Sequence, residues 1–133
     1  MEIRPDDVMI CSYPKTGLHW QQEIVNMLMH KSDTLSSESE NNICFLDVRP
    51  IHIFANIESP RLIVTHVPFR YLPKQALEKK IKIIYLDRNP KDVLVSYYNH
   101  VHEQVYPMHY SGTFEQFVYL NLEVGYKYGD LFT

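Results

Sequence analysis

The 133-residue chain predicts an α/β fold of three layers, a parallel sheet flanked by helices. Three observations carry this expectation. The runs "VMIC" (8–11), "RLIVTHV" (61–67) and "IKIIYL" (81–86) are continuously apolar or β-branched, as parallel strands covered on both faces must be. Helical patterns lie between and after them. The resulting order, strand–helix, loop, strand–helix–strand–helix–helix, is that of parallel strands joined by helical crossovers.

The elements follow in order. After the first strand, "YPKTGLHW" (13–20) leads into a helix on which Trp20, Ile24, Met27 and Leu28 fall at i, i+4, i+7 and i+8, one apolar face. "KSDTLSSESENN" (31–42) has one apolar residue in twelve and reads as a flexible surface loop. "KQALEKK" (74–80) is a short helix after Pro73. A longer helix begins at "NPKD" (89–92), where Asn89 caps, Pro90 suits the first helical position and Asp92 lies near the positive helix end. The last helix starts at Thr113, with Gln116 completing a capping box and Phe114, Phe117 and Val118 forming its apolar face. No internal repeat interrupts this plan, so residues 1–133 read as a single domain.

Composition narrows the partners. The net charge of −3 supplies no cationic excess for nucleic acid or a membrane surface. No stretch approaches the ~20 apolar residues of a membrane span, and the acidic start "MEIRPDDVM" lacks an apolar signal core. With two cysteines, Cys11 and Cys44, a cytoplasmic protein with free thiols is expected. Cys11, inside an apolar run, reads as a small buried hydrophobe. The seven histidines are scattered, so no metal site is expected.

In an open parallel sheet, ligands bind beyond the carboxyl ends of the strands. Three places qualify. Beyond the first strand, Gly17 allows a close turn into the helix, whose free N–H groups and dipole suit an anion. Lys15 adds a charge, and Thr16 and His19 add donors. This is no Walker A loop, which needs a glycine upstream of a Gly-Lys pair. Beyond the third strand, Arg88 precedes a helix start, with Ser96 two turns on; together they suit a second phosphate. Between them His66 ends an apolar segment, where a neutral imidazole can accept a proton from a hydroxyl. Plainer readings stand beside each: a solvated Lys15 at a turn, an Arg88 paired with Asp87 or Asp92, a satisfied core histidine. Two anion sites with a base between them suggest transfer of an anionic group from a nucleotide carrying two phosphates.

These residues resemble a family. "YPKTGLHW" is similar to the first signature of the cytosolic sulfotransferases, close to Tyr-Pro-Lys-Ser/Thr-Gly-Thr-x-Trp. "IYLDRNPKDVLVSYYNH" (84–100) resembles their second signature, and "THVPFRYLP" (65–73) the segment around their catalytic histidine. The likeness extends over essentially the whole chain and corresponds to the N-terminal half of such proteins. It implies a truncated form of a fold like that of the P-loop nucleotide hydrolases, with an open sheet edge and self-association through it. It implies sulfuryl transfer from 3′-phosphoadenosine 5′-phosphosulfate (PAPS) to a hydroxyl or amine of a small hydrophobic acceptor, without a metal. By position, Lys15, Thr16, Gly17, Leu18, His19 and Trp20 would hold the 5′-phosphosulfate and adenine, with Lys15 also neutralising the bridging oxygen. Arg88 and Ser96 would bind the 3′-phosphate, His66 would be the general base, and Phe54, His100 and Gln104 would line the acceptor pocket. Val64 stands where the family usually has a lysine. The alternative is a truncated, non-catalytic nucleotide-binding remnant.

Overall fold

The computed structural model describes residues 2–32, 43–103 and 109–123. It contains two compact units, Met1–Asp87 and Arg88–Thr133, taken here one at a time. Gln104 and residues 33–42 of the expected loop lie outside the described residues.

The first unit is built on a four-stranded parallel sheet of order β2-β3-β1-β4, with β1 at Val8–Ser12, β2 at Ile43–Phe45, β3 at Leu62–Thr65 and β4 at Lys82–Leu86. Strands β1, β3 and β4 occupy the three apolar runs. Strand β2 was not expected. Its three residues are too few to show a period, and pairing with β3 fixes it, Cys44 lying opposite Ile63.

Side chains alternate along each strand, and β1 and β3 are buried on both faces as expected; β4, expected to be like them, is only half-buried, with Lys82 and Tyr85 exposed. Val8, Ile10, Leu62 and Val64 pack against Leu18 and Val25 of α1 (Leu18–His30). Met9, Cys11, Cys44 and Ile63 pack on the other face with Ile3, Phe54, Leu72 and Ala76. Phe54 comes from a 3-10 turn at Ile51–Asn56, and Ala76 from α2 (Lys74–Glu78). Burial of each such aliphatic side chain contributes about 1.5–3 kcal/mol.

Helix α1 packs through a different stripe from the expected one. Leu18, Gln22 and Val25 are buried, whereas Trp20 is 81% and Leu28 72% exposed. Two stripes compete on this helix, and the one facing the sheet carries Gln22 at its centre, which hides it from a reading of apolar spacing. The sheet's own apolar residues decide the rotation.

A buried ion pair ties the strand starts together. Arg61 Nη2 lies 2.6 Å from Asp7 Oδ2, with side chains 2% and 0% exposed. Arg61 also donates to the carbonyls of Phe54 and Glu2, and Asp7 accepts from the Arg4 amide. Every arm is satisfied, as burial of a charge requires; removing one partner of such a pair costs about 3–5 kcal/mol.

The second unit holds α3 (Pro90–Glu103) and α4 (Phe114–Leu122). Asn89 caps α3 as expected: its Oδ1 accepts from the Lys91 amide and its carbonyl from Val93. Thr113 and Gln116 form the expected capping box. Phe117 is buried against Tyr97 and Val101, its ring edge-on to Tyr97 at 5.5 Å. Among the described residues no helix is long and apolar enough to cross a membrane.

Candidate active site

The parallel register brings the carboxyl ends of three strands to one edge. Cys11 pairs with Thr65, and Ser12 with Leu86. The segment 13–17 and His66 both leave the sheet there.

The segment between β1 and α1 is an unusual piece of backbone. Lys15 has φ 67° and Gly17 φ 105°. Among the described residues the other two non-glycine residues at positive φ, Lys31 and Lys80, follow the ends of α1 and α2, where a left-handed residue is ordinary. Lys15 has no such helix end to account for it. The sign of φ alternates through Lys15, Thr16 and Gly17, the pattern with which consecutive N–H groups form a concave anion cradle. A Cβ on Gly17 would meet nothing within 4 Å. Glycine is therefore required by conformation, not by space.

Gly17 caps α1 without a side-chain bond, so the helix start presents backbone donors. The Thr16 hydroxyl donates to the Tyr13 carbonyl at 2.8 Å. It braces the loop, whereas the sequence suggested an outward donor. Leu18 is buried in the core, while His19 and Trp20 are exposed. Tyr13 is held above its ordinary pKa of 10.0 by burial.

His66 is half-buried, and its ring is fixed from two sides. Nδ1 lies 2.8 Å from the Ser12 carbonyl oxygen, and the ring stands edge-on to Phe45, centroids 5.4 Å apart at 75°. A carbonyl oxygen only accepts, so Nδ1 carries the proton in this bond. Nε2 is then the acceptor of the neutral ring. The Ser12 hydroxyl lies 3.3 Å from the same Nδ1. The backbone of His66 is held separately: Asp47 Oδ2 accepts its amide at 2.7 Å, and Asp47 Oδ1 accepts the Thr65 hydroxyl at 2.5 Å. Neither Ser12 nor Asp47 was singled out from the sequence. Asp47 follows a strand too short to be read, and its partners lie 18 and 19 residues on.

Phe54 is fully buried in the core, so its ring packs under the sheet and lines no open surface. Val64 is likewise fully buried. In the second unit, Arg88 is exposed just before α3, and Ser96 and His100 lie half-buried on that helix.

Residues 5–133 match the family model described as the sulfotransferase domain. The chain belongs to this family. It is 35% identical over 131 residues to human sulfotransferase 4A1, covering 93% of this chain and 46% of that protein. It is 38% identical over 122 residues to the amine sulfotransferase of Oryctolagus cuniculus, covering 88% and 40%. Mouse sulfotransferase SULT7A1, solved in complex with PAP, superposes with a TM-score of 0.71 at 30% identity, over 90% of this chain and 42% of that one. The sulfotransferase chain thus spans about half the length of the relatives it matches, and it has their α/β fold over that half.

Proposed function

We propose that this chain carries the donor loop and base of a sulfotransferase, moving a sulfuryl group from PAPS to a hydroxyl or amine of a small hydrophobic acceptor. The observation that carries this is the His66–Ser12 bond: with Nδ1 on the Ser12 carbonyl, the ring's lone pair is on Nε2, and Ser12 is the residue from which the loop at 13–17 leaves β1. The acceptor's proton passes to Nε2 as its oxygen or nitrogen bonds to sulfur. The bond from sulfur to the bridging oxygen breaks, and its electrons leave with the 5′-phosphate of PAP. Lys15 neutralises that oxygen, and the loop amides of residues 16–20 hold the phosphosulfate. Trp20 offers a ring for the adenine. Arg88 and Ser96 take the 3′-phosphate on the strength of the motif resemblance, and His100 and Gln104 line the acceptor pocket on the same ground.

The donor set suits this cosubstrate: a lysine, a helix start and a concave backbone are what a phosphosulfate needs. Transfer of labelled sulfate from PAPS to a panel of phenols, alcohols and amines tests the activity. No transfer to any of them refutes it for this chain. A second reading, nucleotide binding without turnover, is favoured by Val64, a buried apolar residue where the motif resemblance implies a lysine. PAP binding in a calorimeter without turnover would establish it.

We extend the proposal to self-association. Among the described residues strand β4 ends the sheet order, and its Tyr85 is 71% exposed; a sheet edge is where a second copy can pair. Sedimentation should show a concentration-dependent dimer that Tyr85→Lys weakens; a monomer at all concentrations refutes it.

A further inference from the structure

We infer that Asp47 is a positioning residue for His66, holding the chain from 65 to 67 so that the imidazole stays on the Ser12 carbonyl. This rests on the reading of His66 as the base.

The route to this inference is a chain of bonds. The Leu46 amide donates to the Val64 carbonyl at 2.9 Å, one rung beyond the pairing of Phe45 with Val64. The turn that follows closes through the amides of Val48 and Arg49 on the Phe45 carbonyl. Asp47 therefore sits rigidly beside the end of β3. Its two oxygens take different jobs. Oδ2 accepts the His66 amide at 2.7 Å, and Oδ1 accepts the Thr65 hydroxyl at 2.5 Å. Thr65 Oγ1 in turn accepts the Val67 amide at 3.0 Å. One carboxylate thus holds three consecutive residues where the strand ends and ladder bonds run out. Thr65 is fully buried and Asp47 partly so, which strengthens charge-assisted bonds of this kind. The imidazole can keep its 2.8 Å bond to Ser12 only while its own backbone stays in place.

The test reads the ring directly. In the ¹⁵N-labelled chain at mildly alkaline pH, His66 should show a protonated Nδ1 and an unprotonated Nε2, with His66→Gln supplying the assignment. Asp47→Asn keeps the shape but replaces one acceptor oxygen by a donor. We expect the His66 signals to move toward the averaged pattern of a free imidazole. We expect its amide to exchange about tenfold to a hundredfold faster, as loss of one hydrogen bond to a charged group implies. Asp47→Glu, which retains both oxygens, should recover much of the fixed pattern. An Asp47→Asn chain with the wild-type ring pattern and amide exchange overturns the inference. If that variant does not fold, Thr65→Val removes both the Oδ1 bond and the acceptor of the Val67 amide while keeping the Oδ2 bond; the His66 signals should then move part of the way, and unchanged signals overturn the role given to the hold on 65–67. PAP binding and sulfate transfer are measured separately on the wild type, so their failure counts against the proposed function and leaves the ring result standing.

Discussion

His66 Nδ1 lies 2.8 Å from the carbonyl oxygen of Ser12, so the last residue of β1 dictates which nitrogen of the first residue beyond β3 can take a proton. In an active form carrying this domain, His66→Ala should lower sulfuryl transfer about 10²–10⁴-fold, the usual contribution of positioned proton transfer. PAP affinity should stay within about twofold, since a base acts on the acceptor's proton in the transition state and not on the bound nucleotide. Parallel measurement of turnover and calorimetric affinity decides the matter. Equal loss of both would make His66 a structural residue.

Trp20 is the chain's only tryptophan and is 81% exposed. An indole so placed adds little to folding, so Trp20→Ala should change stability by no more than about 0.5 kcal/mol in urea unfolding. If the ring stacks on adenine, PAP should quench its fluorescence, and Trp20→Ala should weaken PAP binding by about 1–3 kcal/mol, the range for a base stacked on an aromatic. A nucleotide that binds without altering the emission would remove Trp20 from the site.

Gly17 at φ 105° has open space where a Cβ would go. Gly17→Ala therefore meets no clash, and its whole cost is the backbone conformation, about 1–2 kcal/mol. The stability loss should come with weaker PAP binding, because the chain relieves the strain by flattening the loop. Weakened stability with unchanged PAP affinity would show that the cradle is not the phosphosulfate site.

Much of this fold is legible in the sequence. Strands β1 and β3 declare themselves because parallel strands buried on both faces need apolar side chains on both; β4 is found by the same apolar run though it is only half-buried; and Asn89 and Thr113 cap as their chemistry requires. Other features depend on tertiary pairing and leave no local trace. Strand β2 exists through its bonds to β3. The packing stripe of α1 has Gln22 at its centre, so apolar periodicity selected the outer stripe through Trp20 and Leu28. The loop at 13–17 could be located by Lys15 and Gly17, but the sign alternation of its backbone could not. His66 was recognisable by position, yet its tautomer depends on a carbonyl 54 residues away, and backbone carbonyls have no sequence signature.

The two thiols give the fold a defined alkaline limit. Cys11 and Cys44 are buried. Burial pushes each from 9.0 to about 11, with the Asp47 charge adding to the rise at Cys11. At Cys44 the nearby Arg61 guanidinium opposes the burial but does not cancel it. In the unfolded chain both thiols lose their protons near 9, while the folded chain keeps them. Above that pH the unfolded state therefore binds fewer protons, and stability falls as pH rises. The contribution is complete below pH 9 and is lost as pH climbs through about 11. Other groups titrate in the same window, so the comparison must be internal. Urea midpoints between about pH 8 and about pH 10.5 should fall less steeply for a Cys11→Ala, Cys44→Ala chain than for the wild type. Cavities left by the missing sulfurs lower the variant's curve by a constant and do not change its slope. Parallel curves would mean that the thiols ionise alike in both states, and that the interior around Cys11 and Cys44 is wetter than their burial implies.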